Sequence, residues 1–301
     1  TVPEMADTFV IAVPTPFRGN HHEPDLSYVK AASQMIAEVL KPGDLVILES
    51  TSPVGSTEKL RDWLSSERSD LIFADKGIEE PDIFIAYCPE RVLPGNTLRE
   101  LVENDRVIGG LCEKSNSKAI SFYGSFIDGL CHETNSRTAE LTKLVENSYR
   151  DVNIAFANEL SLVAKNLEID VWELIDLANM HPRVDILKPG AGVGGHCIAV
   201  DPWFILSKSP EAKLIKQARL INDNKPKHII EEIKNFCSTN PNVKSISVFG
   251  LTYKPDIDDI RESPAFEIYS SLIKDSGCKI SAVDPYLENG ELQDQVEFIS
   301  S

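Results

Sequence analysis

Three short apolar runs open the chain: Phe9-Val10-Ile11-Ala12-Val13, Leu45-Val46-Ile47-Leu48 and Ile83-Phe84-Ile85-Ala86-Tyr87. Stretches with helical spacing, at about 25 to 40 and 56 to 66, separate them. Continuous, β-branched apolar runs of this length predict parallel strands covered on both faces by helices, the signature of an α/β sheet. Each run enters a polar loop containing proline: Pro14-Thr15-Pro16, Thr51-Ser52-Pro53 and Pro89-Glu90. Ligands of open α/β sheets bind beyond the carboxyl ends of the strands, so Thr15, Thr51 and Glu90 are expected along one rim. Turn chemistry alone also accounts for prolines at strand ends.

A further strand is expected from Arg106 to Gly110, followed by a helix. At Ser136 the period changes. Leu141, Val145, Tyr149, Val152, Phe156, Leu160, Val163 and Leu167 recur every three or four residues with no Gly or Pro between them, which predicts one long amphipathic helix. Such a helix spans domains or forms a subunit interface, so a homodimer through it is expected. Lys143, Asn147 and Arg150 share another face of this helix, either in solvent or aimed into a site where they would stabilise a developing oxyanion. Helical patterns return at about 170 to 180 and 202 to 237, on either side of the glycine-rich segment Lys188 to His196. Ser245 to Phe249, a helix at about 264 to 276 and Lys279 to Val283 then form a second β-α-β unit. The expected architecture is a partial Rossmann-like domain over residues 1–134, an all-helical domain over 135–240 and a second partial Rossmann-like domain over 241–301.

Charge narrows the function. Lys and Arg total 30 against 47 Asp and Glu, a net charge of −17 that repels a nucleic-acid backbone and an anionic membrane surface. No apolar run approaches the roughly 18 to 20 residues of a membrane span, and a cytoplasmic location is expected. The six cysteines are scattered, without a CxxC pair or metal-ligand spacing, so reduced thiols and no metal site are expected. The chain begins Thr1-Val2-Pro3 and passes almost at once into a strand pattern, as though it started inside a domain.

Gly190-Ala191-Gly192-Val193-Gly194-Gly195 matches the dinucleotide fingerprint G-x-G-x-x-G literally but fails on context, because it neither follows a strand nor opens a helix. The glycines are better read as allowing close backbone approach, with Cys197 placed in a pocket beside His196 as a candidate thiolate nucleophile. The other five cysteines read as buried packing residues. In the segment from Lys254 to Pro264, Lys254 and Arg261 either hold a diphosphate or sit on the surface, neutralised by Asp256, Asp258 and Asp259.

Several blocks together carry a resemblance: Val13-Pro14-Thr15-Pro16, Glu49 to Gly55, Cys88-Pro89-Glu90-Arg91, Ala139-Glu140 through Lys143 and Asn147 to Asn158-Glu159, Gly194-Gly195-His196-Cys197 with Asp201-Pro202, and Lys254 to Pro264. In this order they resemble the UDP-glucose/GDP-mannose dehydrogenase family through nearly the whole chain. Ser148 to Leu160 and His181-Pro182-Arg183-Val184 are most similar to members acting on UDP-N-acetyl-D-mannosamine.

The resemblance implies an NAD domain, a central dimerising domain and a nucleotide-sugar domain. It also implies a four-electron oxidation of a sugar C6 alcohol to a carboxylate with two NAD⁺. Cys197 matches the nucleophile that traps the aldehyde as a thiohemiacetal, whose oxidation gives a thioester. Lys143 and Asn147 match the groups that stabilise alkoxide and oxyanion, Asp201 and Thr51 those that position water, and Glu90 the general base of hydrolysis. Pro14, Thr15, Pro16 and Thr51 match the distal half of the NAD site. Lys254 and Arg261 match the diphosphate contacts, Arg183 an arginine reaching the neighbouring subunit's substrate site, and Arg91, Arg150 and His196 further substrate contacts.

Some relatives carry a second Glu where this chain has Pro94, and the glycine-rich NAD loop would lie upstream of Thr1, so the chain taken alone is expected to be inactive. Alternatives are the same reaction on UDP-glucose or UDP-N-acetylglucosamine, a two-electron hydroxyacid dehydrogenase, which would need no cysteine, and a non-catalytic scaffold, which would lack at least one of Glu90, Lys143, Asn147, Cys197 and Asp201.

Overall fold

The computed structural model describes residues 3–18, 22–92, 97–275 and 277–287, so Pro94 lies outside the described residues. The chain divides into two compact units, 1–146 with 203–211, and 147–202 with 212–301.

In the first unit, β1 (Thr8–Ile11), β4 (Leu45–Leu48), β5 (Phe84–Tyr87), β6 (Arg106–Gly110) and β7 (Cys131–Asn135) form a sheet in that order. A short hairpin of β2 (Phe17–Arg18) and β3 (Glu23–Pro24) follows β1. All four residues of β4 and of β5 are buried, as the apolar runs predict. The twofold alternation of a strand sends Val46, Leu48, Ile85 and Tyr87 to one face, against Val29 of α1 (Ser27–Ala37) and Leu60 and Leu64 of α2 (Ser56–Glu67). It sends Leu45, Ile47, Phe84 and Ala86 to the other, against Ala119 and Tyr123 of α4 (Glu113–Tyr123). Each fully buried Leu or Ile in these layers contributes roughly 1.5–3 kcal/mol.

Neighbouring strands are parallel except β5 and β6, which are antiparallel with Tyr87 opposite Gly109. The connection through α3 (Thr97–Glu103) brings the chain back on the same side, so β6 starts beside the loop that leaves β5.

The N-terminus of α2 is closed in an unusual way. Its N-cap Gly55 has φ +92° and supplies no side chain. The carboxylate of Glu140 does the capping from α5 (Ser136–Asn166), accepting from Gly55 N–H at 2.6 Å, Thr57 N–H at 2.7 Å and Thr57 Oγ1 at 2.7 Å. These donors would otherwise be orphaned, and the helix dipole favours an anion there. Glu140 is fully buried, and burial pushes its carboxyl up against those bonds.

The second unit holds the rest of α5, α6 (Val171–Asn179), α8 (Lys213–Thr239) and the parallel pair β8 (Ser245–Phe249) and β9 (Lys279–Val283), joined through α9 (Pro264–Asp275). Ile230, Leu251, Ile268, Tyr269, Leu272, Ile280 and Ala282 form its core. The helical stretch expected at 202 to 237 is interrupted near Pro210, giving α7 (Asp201–Leu206) and α8.

The long helix is present, and most of its apolar stripe is turned outward. Leu141, Val145, Tyr149, Phe156, Val163 and Leu167 are exposed, whereas Glu140, Leu144, Ser148, Asp151, Ala155 and Asn158 are buried. The buried face mixes Leu144 and alanines with polar residues, of which Glu140, Asp151 and Asn158 are hydrogen-bonded.

Candidate functional site

Three predicted residues stand beyond one row of the sheet. Ile11, Leu48 and Tyr87 are in register across β1, β4 and β5, and Thr15, Thr51 and Glu90 follow them by three or four residues. Ser50 staples the first two loops together: its hydroxyl accepts from Val13 N–H at 2.7 Å and donates to Val13 O at 2.7 Å. Thr15 Oγ1 then donates to the Thr51 carbonyl at 2.6 Å. Pro14 and Pro16 are exposed, and Thr15 and Thr51 half-buried. Hydroxyls and carbonyls collected at the carboxyl ends of parallel strands suit the ribose and amide of a dinucleotide.

Glu90 is held from both sides. Its Oε1 accepts from the backbone of Arg91 at 2.5 Å and Val92 at 2.8 Å, and its Oε2 from Arg106 Nη1 at 3.3 Å. The β5–β6 register, continued by three residues from Tyr87 and Gly109, sets Arg106 beside Glu90. Arg106 is 3% exposed, reaches Glu49 at 3.5 Å with the same nitrogen, and lies over the Tyr123 ring at 5.1 Å. Burial, then the neighbouring Glu90, pushes the Glu49 carboxyl up. Burial pushes the Tyr123 hydroxyl up as well, and the Cys88 thiol up to about 12. Arg91 points elsewhere, paired with Glu146 at 2.7 Å.

In the second unit the glycine segment is a clamped loop. A Cβ on Gly194 would strike the carbonyl oxygen of Glu262, and one on Gly195, at φ +82°, would come within 2.7 Å of the Tyr253 ring. Gly192, at φ +143°, abuts Pro226 and Pro264. Close packing therefore accounts for Gly192, Gly194 and Gly195, and no strand leads into the segment. The loop ends on His196 and Cys197, both exposed. The Cys197 carbonyl accepts from Val200 N–H at 3.1 Å and Asp201 N–H at 2.9 Å, which starts α7. Asp201 is buried, and Asn147 Nδ2 donates to its Oδ2 at 2.6 Å. Lys143, one helical turn before Asn147, is half-buried and belongs to the first unit.

Arg150, Arg183 and Lys254 are exposed. Arg261 is gripped by Asp259, with Nε at 2.9 Å and Nη2 at 2.6 Å, so the neutralised surface pairing considered for this loop is present for Arg261.

Sequence reasoning gave no role to Glu49 and Arg106, nor to Asp151, Asn158 and Arg219, which form a buried network under the Cys197 loop. One signal was available. Glu140, Leu144, Ser148, Asp151, Ala155 and Asn158 recur at helical spacing, a second stripe beside the apolar one.

Residues 1–127 match the NAD binding domain of the UDP-glucose/GDP-mannose dehydrogenase family, residues 137–224 its central domain and residues 247–301 its UDP binding domain. A UDP-N-acetyl-D-mannosamine dehydrogenase of Campylobacter jejuni is 58% identical over 289 residues, 96% of this chain and 71% of that protein. An NDP-N-acetyl-D-galactosaminuronic acid dehydrogenase of Ralstonia nicotianae is 55% identical over 96% of this chain and 68% of its own length. The solved structure of a UDP-N-acetyl-mannosamine dehydrogenase from Staphylococcus aureus superimposes with a TM-score of 0.84 at 44% identity, covering 98% of this chain and 68% of that one. The chain thus spans about seven tenths of the length of these relatives. With three domain matches in family order and relatives well above half identical, the chain belongs to the UDP-glucose/GDP-mannose dehydrogenase family of NAD-dependent nucleotide-sugar dehydrogenases.

Proposed function

We propose that the full-length protein oxidises the C6 alcohol of UDP-N-acetyl-D-mannosamine to the carboxylate, with Cys197 as covalent nucleophile. The observation that carries this reading is an exposed thiol at the end of a glycine-clamped loop, four residues before a buried Asp201 that Asn147 holds at 2.6 Å. NAD⁺ supplies the hydride acceptor for each of the two oxidations. A second hydride can leave only from a tetrahedral carbon, and thiolate addition to the aldehyde creates one. Loss of that hydride leaves a thioester, which water cleaves to carboxylate and thiol.

Lys143 and Asn147 stabilise the alkoxide and oxyanion, Asp201 and Thr51 position water, and Glu90 takes the proton from it. Pro14, Thr15, Pro16 and Thr51 line the cofactor site. Lys254 and Arg261 contact the diphosphate, with Arg261 exchanging part of its Asp259 pairing for phosphate. Arg91, Arg150 and His196 contact the remainder of the substrate, and Arg183 reaches the neighbouring subunit's site.

The domain division is 1–134, 135–240 and 241–301, and two chains pair through α5. The exposed Tyr149, Phe156 and Val163 on that helix and Leu167 just after it, with Trp172 and Met180 on and just after α6, support the pairing. The chain works in the cytoplasm. Among the described residues no helix is long and apolar enough to cross a membrane.

The C. jejuni relative favours the mannosamine sugar, and the R. nicotianae relative a galactosamine-derived one. Comparison of kcat/KM for UDP-N-acetylmannosamine, UDP-N-acetylgalactosamine, UDP-N-acetylglucosamine and UDP-glucose on the full-length protein decides between them. Buried groups that pair an acetamido substituent reject a plain hydroxyl, because they would be left unpaired. Equal turnover of UDP-glucose would overturn the sugar assignment.

A further inference from the structure

Two buried side chains grip the Cys197 loop at opposite ends. The Gly190 N–H donates to Asn158 Oδ1 at 2.8 Å, and the Ile198 carbonyl accepts from Arg219 Nη1 at 3.4 Å. Asn158 projects from α5 and Arg219 from α8, and both are fully buried.

The two grips are joined. Asn158 Nδ2 donates to Asn222 Oδ1 at 2.9 Å, Asn222 Nδ2 donates to Asp151 Oδ1 at 2.7 Å, and Arg219 Nη1 donates to the same oxygen at 2.6 Å. Arg219 Nε and Nη2 hold Asp223 Oδ1 at 3.0 and 2.8 Å. A continuous path of hydrogen bonds therefore runs from Gly190 to Ile198 through the facing sides of two helices.

Stability is a poor explanation for this network. Apolar side chains of similar volume commonly replace a buried ion pair without loss, and here Asp151 Oδ2 is buried with no hydrogen-bond partner among the described residues. What polar groups supply that apolar ones do not is a fixed place for each end of the loop.

We propose that Asn158 and Arg219 are positioning residues for Cys197, clamping both ends of its loop so that the thiol captures the aldehyde before it escapes. This rests on Cys197 as the nucleophile. The first oxidation needs no thiol, so a loosened clamp selectively impairs the second. A misplacement of about 1 Å can cost on the order of a hundredfold in rate.

The test uses the full-length enzyme with Asn158→Ala and Arg219→Lys, either of which suffices, against Lys225→Met. Lys225 lies on α8, is 8% exposed and binds Ser161 of α5 at 2.5 Å. It joins the same two helices and makes no bond to the loop.

Expected in the clamp variants are a KM for the UDP-sugar within about threefold of wild type, a kcat lowered roughly 10- to 100-fold, and a single-turnover yield falling from two NADH per sugar towards one as aldehyde is released. Lys225→Met keeps the yield at two with kcat nearly unchanged, even where its melting temperature falls as far. Two NADH per sugar at undiminished kcat in the clamp variants overturns the proposal, and so does an equal fall in Lys225→Met. Cys197→Ser, run alongside, separates this inference from the reading beneath it. Two NADH from Cys197→Ser removes the nucleophile assignment itself. One NADH from Cys197→Ser with two from the clamp variants removes only the clamp.

Discussion

The glycines of the 190–195 segment can be ranked by what a single methyl group would meet, and the ranking separates a packing role from cofactor binding. At Gly190 an added Cβ has no heavy atom within 4 Å, so Gly190→Ala is expected to be neutral or to stabilise by about 0.4–1 kcal/mol through reduced freedom of the unfolded chain. At Gly195 the left-handed backbone costs an alanine about 1–2 kcal/mol, and displacing the Tyr253 ring adds the 1–3 kcal/mol typical of overpacking, roughly 2–5 kcal/mol together. At Gly194 the obstacle is the Glu262 carbonyl oxygen, a backbone atom, so the cost lies at or beyond the top of that range. Urea unfolding read by circular dichroism gives the three values.

In the same variants NAD⁺ affinity, measured by calorimetry on the full-length protein, is expected to stay within about twofold, while the alkylation rate of Cys197 changes in Gly194→Ala and Gly195→Ala. A tenfold loss of NAD⁺ affinity in Gly190→Ala with unchanged stability would refute the packing argument and restore the motif as a cofactor loop.

Iodoacetamide labelling followed by peptide mass spectrometry should find Cys197 modified far faster than Cys88. Cys197 is exposed, whereas Cys88 is buried with its thiol pushed up to about 12 by that burial, so it is held as the unreactive thiol near neutral pH; comparable rates would contradict this, and bound UDP-sugar should protect Cys197. Burial pushes the Asp151 carboxyl from 3.8 up to about 6 against the pull of Arg219. The folded chain therefore keeps a proton that the unfolded chain releases between about pH 4 and 6, and its stability falls as pH rises through that window by roughly 2–3 kcal/mol. The slope should be missing in Asp151→Asn and so appear in the difference between wild type and the variant, and identical profiles would refute the assignment. Tyr149→Asp with Phe156→Asp, both exposed on α5, should convert a dimer to monomers in analytical ultracentrifugation, and a dimer that persists would place the interface elsewhere.

Local pattern carried the reading of the strands a long way. The expected strands at Arg106–Gly110, Ser245–Phe249 and Lys279–Val283 form with those limits, and the long helix starts at Ser136. The row bearing Thr15, Thr51 and Glu90 was legible because parallel strands share a carboxyl end.

Direction and facing were less legible. Nothing within Arg106–Gly110 signals that the strand runs against β5, yet that reversal alone sets Arg106 beside Glu90. On α5 the apolar period named the exposed stripe but not the buried one, whose Asp151 and Asn158 bond to Arg219 and Asn222 more than sixty residues on. The glycine segment follows no strand, as its context indicated, but its neighbours Tyr253, Glu262 and Pro264 come from so far along the chain that spacing could not name them.

The Glu140 plug has a consequence for where phosphate can bind. A helix that follows a parallel strand ordinarily presents unpaired N–H groups and the positive end of its dipole to solvent at the ligand rim, as an anion site. Behind β4 that place is already filled by a carboxylate from α5, which takes the Gly55 and Thr57 donors and returns a negative charge. The start of α2 is thus an anion site occupied by the protein's own side chain, closed to any phosphate of a dinucleotide or nucleotide sugar. The same bonds tie the beginning of the long central helix to the first turn of α2, just after the loop that carries Thr51.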